Sequence, residues 1–98
     1  QGTQSPNSAS LKGRAVNLLG RGIEAAEITL SSQNSNVPIM VITDKFGNFE
    51  FPNTPVDQSY TLVPRAPRCV FQQPQMTINF TDPDTGVLLR ANCFRLIR

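Results

Sequence analysis

The 98 residues contain no histidine and no tryptophan, and tyrosine occurs once, as Tyr60. Without histidine the chain lacks the commonest general base, the commonest metal ligand and the side chain that switches charge near neutral pH. Serine and threonine are plentiful, but no base is placed to activate them, and the acidic residues show no pairing suited to acid–base work. The sequence therefore predicts a chain that is not an enzyme and holds no cofactor and no metal. Scarce aromatics argue in the same way against a sugar-stacking surface, because Tyr60 is expected to face inward. Charged residues are only 16% of the chain, with a net charge of +2. Arg65, Arg68, Arg90, Arg95 and Arg98 fall late, but no dense basic stripe with interleaved aromatics marks a nucleic-acid binder. No apolar run approaches the roughly 20 residues of a membrane helix, so membrane insertion is not expected.

Cysteine is scarce but even in number. Cys69 and Cys93 have no CxxC spacing. In a small polar chain they read as one disulfide of an oxidising compartment; the alternative is two buried free thiols. Six glycines and eight prolines, with abundant Ser, Thr, Asn and Gln, suit an extracellular all-β domain better than a cytosolic helical one. The length is that of one domain with one core. A start at Gln1 fits removal of a secretory signal and equally a trimmed boundary.

What is present is organised around Thr43-Asp44-Lys45-Phe46-Gly47-Asn48-Phe49-Glu50-Phe51. Asp44 can bond its own backbone to start a turn, and Gly47 can supply a positive φ. Beyond the turn, Phe49 and Phe51 share one parity, the period of a half-buried strand with two rings in the core. Upstream, residues 1–9 read as a flexible or strand-donating tail. The first strand, Ser10 to Asn17, is predicted to turn Leu11, Gly13 and Ala15 one way and Lys12, Arg14 and Val16 the other. Glu27 to Ser32 alternates with Ile28 and Leu30 inward. Val37 to Thr43 is apolar at both parities: Ile39 and Val41 on one face, Met40 and Ile42 on the other. One of its faces belongs to the core, and the other needs a cover: the tail, a neighbouring loop or another molecule.

Pro52 to Ser59 reads as a loop, and Tyr60 to Val63 as a strand that Pro64 and Pro67 end. Cys69 and Phe71 share a parity in a short extended piece. Met76, Ile78 and Phe80 form an inward row, Asp82-Pro83-Asp84-Thr85-Gly86 is a turn, and Val87 to Ile97 is the last strand. No segment has helical periodicity. Seven or eight short strands at regular spacing predict an all-β sandwich.

A family pattern emerges from Leu11-x-Gly13-x-Ala15, Gly20-x-Gly22-Ile23-x-Ala25-Ala26-x-Ile28-x-Leu30, Thr43-Asp44-x-x-Gly47-x-Phe49-x-Phe51, Ser59-Tyr60-Thr61-Leu62, Phe71-x-x-Pro74 and Asn92-x-Phe94. Over about residues 10 to 97 the chain resembles the carboxypeptidase regulatory-like domain, a transthyretin-like or collagen-adhesin B-type sandwich. The resemblance implies a seven-stranded Greek-key, Ig- or prealbumin-like sandwich filling residues 10–98. It also implies a non-catalytic role as spacer, stalk or accessory module in secreted and cell-surface proteins. Such domains often carry Gly-Tyr where this chain has Arg68-Cys69, so a Cys69–Cys93 bridge would be an addition to the common fold.

Collagen-adhesin relatives often hold an isopeptide bond from a first-strand Lys to a last-strand Asn. Lys12 and Asn92 occupy plausible strands, but Val63-Pro64 stands where the proton-shuttling acid is expected. Asp44, Asp82 and Asp84 could together offer oxygens to calcium, although turn chemistry accounts for each of them. Asn79-Phe80-Thr81 is a glycosylation sequon with Asn79 at the solvent parity. The expectation is a structural subunit of a secreted or cell-surface assembly, acting through β-edges, with protein or copies of itself as partner and a filament as one outcome. The alternatives are a spacer in a larger adhesin, enzyme or outer-membrane receptor, and a glycan-binding module.

Overall fold

A computed structural model describes residues 8–32, 35–81 and 86–94. These form eight strands: β1 (Ser8–Asn17), β2 (Glu27–Ser32), β3 (Ser35–Ile42), β4 (Asn48–Pro55), β5 (Gln58–Arg65), β6 (Cys69–Phe71), β7 (Met76–Phe80) and β8 (Gly86–Cys93). They make two four-stranded sheets, ordered β4-β1-β8-β6 and β3-β2-β5-β7. The strand count is eight rather than seven because the short β6 pairs with β8 in its own right. From β3 onward, successive strands alternate between the sheets. The first and last strands lie side by side in parallel, Lys12 opposite Gly86 and Asn17 opposite Ala91.

Period-two alternation builds the core from both sheets. Leu11, Ile28, Phe51, Leu62, Phe80 and Leu89 are its largest fully buried side chains. Phe49 and Phe51 meet edge to face with ring centroids 6.0 Å apart. Tyr60 is buried as expected and stands edge-on to Phe80. Its hydroxyl donates to the Pro55 carbonyl across the β4–β5 crossover, so the ring spans both sheets. Burial raises the Tyr60 phenol above its ordinary value.

Several boundaries differ from the sequence reading. Ser8 and Ala9, assigned to the tail, already pair with Pro55 and Thr54 of β4, so the sandwich starts before residue 10. Residues 1–7 lie outside the described chain, as does the last-strand extension over 95–98. β4 runs on through Pro52 to Pro55 where a loop was expected. Two residues, Pro52 and Asn53, oppose one on β1 there, and Asn53 takes φ 55°. That bulge resets the parity, so Thr54 faces inward like Phe49 and Phe51. β5 likewise continues through Pro64 to Arg65. Val16, expected outward, is buried although it is not part of the central core; it bridges to Gly22, where the chain folds back beside β1.

Gly13 sits in β1 opposite Phe49 on one side and Val87 on the other. A Cβ there would stand 2.3 Å from the tip of the Phe49 ring and 2.6 Å from the Val87 carbonyl oxygen. The ring lies across the glycine, and packing of the two sheets depends on that missing side chain. Gly13→Ala is therefore expected to cost about 1–3 kcal/mol by overpacking. Chemical denaturation measures this, and a midpoint equal to that of the natural chain would contradict it.

Candidate functional site

The turn between β3 and β4 is a joint. The Asp44 carboxylate oxygen Oδ1 accepts from the backbone N–H groups of Phe46 and Asn48, both at 2.9 Å. The Gly47 N–H donates to the Asp44 carbonyl at 2.9 Å. Gly47 takes φ 83°, and a Cβ on it would meet the Ala15 carbonyl oxygen at 2.2 Å. Only glycine satisfies both conditions. The Ala15 N–H donates to the Gly47 carbonyl at 2.8 Å, and the Ala15 carbonyl accepts from Ile23 at 2.9 Å. Thr43 completes the joint from inside. Its buried hydroxyl donates to the Ile23 carbonyl at 2.6 Å and accepts from the Ala26 N–H at 2.8 Å. The Thr-Asp-x-x-Gly sequence thus ties β1, the 18–26 connection and the start of β4 together. Its chemistry is architectural.

The side chain at the tip of this turn, Phe46, is exposed and carries the Lys45 ammonium 5.5 Å from its ring centroid. Asp44 is held below its ordinary value of 3.8, chiefly by the Asn48 N–H, against a smaller opposing effect of desolvation.

Cys69 and Cys93 are bonded to each other. They face one another directly in the β6–β8 pair with Cα atoms 4.0 Å apart. The flanking Phe94 N–H to Arg68 carbonyl bond, 2.8 Å, makes theirs a close, non-hydrogen-bonded cross-strand pair. Closing a loop of 24 residues contributes on the order of 3 kcal/mol through the unfolded state. Arg68 precedes it at φ 64°, the third residue of a turn closed by the Cys69 N–H on the Ala66 carbonyl. This is the position where the resemblance leads one to expect glycine. A left-handed arginine there costs about 1 kcal/mol or more.

The remaining candidates do not assemble into a site. Lys12 lies opposite Gly86, and Asn92 is six residues further along β8, roughly 20 Å away; an isopeptide bond between them is impossible in this fold. Asp82 and Asp84 lie outside the described residues, and the described residues hold no cluster of metal-ligating side chains. Asn79 is exposed on β7, its amide oxygen accepting from the Ser59 hydroxyl at 2.6 Å. Two clefts, of about 400 and 240 Å³, open between sheet edges. The first is lined by Phe71, Met76 and Arg90 among others, the second by Leu30, Val37, Ile39 and Tyr60 among others, and neither gathers paired acids or a nucleophile with a base.

Of the covers the sequence left open for the second face of β3, the described residues supply none, and the strand stands exposed. The strand is the outer one of its sheet, and among the described residues no loop covers its second face. Val37 is 71% exposed, and Ile39, Met40 and Ile42 are each more than half exposed. Pro38 gave the only hint in the sequence, since proline in a sheet belongs on an edge.

The sign of the Asp44 contribution follows from its depressed value. The charged carboxylate adds stability at neutral pH that is lost as pH falls through the folded-state value, below about 4. Asp44→Ala should lower Tm at pH 7, and the gap to the natural chain should narrow as the pH is taken to about 3. A gap that is constant across that range in scanning calorimetry would refute the assignment.

The joint and the buried Phe49 and Phe51 lie within the stretch that a family model matches, which also takes in most of the first strand and the start of the last. The family model of the carboxypeptidase regulatory-like domain matches residues 10–88. No curated protein and no solved structure matches the chain. Domains of this type are β-sandwiches often found in larger surface or secreted proteins, and they are typically non-catalytic. On a match that spans most of its length, the chain belongs to the carboxypeptidase regulatory-like domain family.

Proposed function

We propose that this domain is a non-catalytic structural module of a secreted or cell-surface assembly and that it holds neighbouring protein through the β3 edge. The observation that carries this reading is an eight-residue outer strand whose Val37, Ile39, Met40 and Ile42 stand exposed. Exposed apolar surface on an uncharged edge is costly for a domain that works alone and favourable for one that is covered in use. The disulfide supports an oxidising compartment. The test uses native surface material. A chain carrying Ile39→Thr, Met40→Lys and Ile42→Thr should keep its Tm within a few degrees, because these residues are half exposed, yet leave the high-mass fraction that retains the natural chain. Equal retention of the two would overturn the reading.

A second, compatible role is favoured by the strand order. β1 and β8 are parallel neighbours, so the described chain enters at one end and leaves at the other. Ser8 and Cys93 are separated by about eleven strand steps, roughly 35 Å. That is the geometry of an in-line spacer in a longer surface protein. Force applied at the two ends shears all β1–β8 hydrogen bonds together. In single-molecule pulling, end-to-end attachment should therefore give a higher unfolding force than attachment at Ser8 and Asp57, which lie at one end and unzip the β1–β4 pair. Equal forces would remove this role.

A further inference from the structure

We infer that β3 pairs with β3 of a second copy of this domain, antiparallel about a two-fold axis at Met40, joining two four-stranded sheets into one of eight strands. The inference rests on the β3-edge reading above and names its occupant.

The other three edges of the sandwich are each blunted. β6 has three residues and β7 five. β4 carries Pro52, Pro55, the charged Glu50 and a bulge at Asn53. Short length, proline, charge and bulges are the devices by which sheets prevent edge pairing. β3 also carries a proline and a register shift between its Leu30–Ile39 and Ser32–Ser35 pairs, but it has eight residues, no charge and a regular run from Ile39 to Ile42.

The direction of its backbone groups can be worked out. The Thr43 N–H donates inward to the Ala26 carbonyl at 2.9 Å. By alternation, Val41 and Ile39 also turn their backbone groups toward β2, in register with Ile28 and Leu30. Pro38, Met40 and Ile42 therefore turn theirs away from the sheet. Proline falls on the parity where β2 requires no N–H from it. The free edge offers the N–H groups of Met40 and Ile42 and the carbonyls of Pro38, Met40 and Ile42.

Centring the two-fold axis on Met40 lets Met40 exchange both bonds with its own copy. Each Ile42 N–H then meets the other copy's Pro38 carbonyl. The same register sets Ile39 against Val41 on one face and Pro38 against Ile42 on the other, apolar on apolar from Pro38 to Ile42, with Val37 against Thr43 and Asn36 against Asp44 beyond. Centring on Val41 would oppose Pro38 to Asp44 and Val37 to Lys45. Centring on Ile39 would oppose Ile42 to Asn36. A strand without charge also meets no like charge when it meets itself, as an isologous contact requires. Residues 1–7, Gln-Gly-Thr-Gln-Ser-Pro-Asn, bring no apolar side chain to match β3 and are the poorer occupant. One strand pair is a small interface, below about 1,200 Å² in total, so the dimer should be weak and reversible.

Sedimentation of the 98-residue chain from about 10 µM to about 1 mM, the range a small interface demands, should show a monomer–dimer equilibrium. Met40→Lys places two charges directly opposite each other and should weaken it by about tenfold or more. Met40→Glu should weaken it as well, and an equimolar mixture of the two variants should recover a heterodimer. Hydrogen exchange at the Met40 and Ile42 amides should slow with concentration in the natural chain alone. A natural chain monomeric throughout, a Met40→Lys chain that dimerises equally, or a dimer lost on removal of residues 1–7 but kept by Met40→Lys would each overturn self-pairing. If the chain is monomeric and β3 variants still leave the surface fraction, self-pairing fails while the module reading stands. If the dimer forms and β3 variants stay in that fraction, the module reading fails instead.

Discussion

The close approach of Gly47 to the backbone of Ala15 is the constraint on which the rest of the sandwich depends. A Cβ at residue 47 would stand 2.2 Å from the Ala15 carbonyl oxygen. At that separation the Gly47 carbonyl accepts from the Ala15 N–H, Ile23 donates to the Ala15 carbonyl, and the buried Thr43 hydroxyl locks the connection from behind by donating to the Ile23 carbonyl. The position of β4 beside β1 follows, and with it the inward parity of Phe49 and Phe51. Gly13 can then receive the Phe49 ring. A local turn thereby sets a long-range register, which matters in a fold whose contacts are mostly far apart in sequence and whose loop-closure cost must be met early.

Strand-borne prolines show how topology decides what a sequence signal means. Pro38, Pro52, Pro55 and Pro64 all lie inside strands. Read alone, each is a breaker, which is why the sequence reading ended β4 at Phe51 and β5 at Val63. In the fold Pro38 sits on an outer strand with its nitrogen turned away, and Pro52 and Pro55 sit on another outer strand. Pro64 opposes Ile28, whose backbone groups serve β3; its own nitrogen therefore faces the β7 side. There β7 has already ended at Met76, the partner of Leu62. No ladder bond is missing in any of these places.

The core and the joint were legible because their signals are local: alternation in β2, β4 and β7, and Asx-turn chemistry followed by glycine in residues 44–47. The exposure of β3 was legible only as one of several alternatives. An apolar strand at both parities looks alike whether it lies between two layers or on an outer edge, and only the order β3-β2-β5-β7 distinguishes the two. Val16 escaped for a related reason: it is buried outside the central core, where the chain reverses and bridges to it at Gly22. Ser8 and Ala9 looked like tail because two small residues carry too little period to declare a strand, although β4 extends far enough to pair them.

The placement of the disulfide fits a division of labour within the sandwich. It ties β6 to β8 on one outer side, away from β3 and β4. The side that is held covalently is the side whose outer strand is the shortest, the three-residue β6. The opposite side is stabilised by the Gly47 joint and the β1–β4 pairing, and it keeps a long apolar edge that a bridge would have made unnecessary to leave open. Entry and exit of the described chain at opposite ends leave that edge lateral to the chain axis. Contacts along the chain and contacts across it then use different surfaces. A two-fold contact at β3 closes on itself, so lateral pairing adds one partner and stops, whereas growth in length is left to whatever the two ends join.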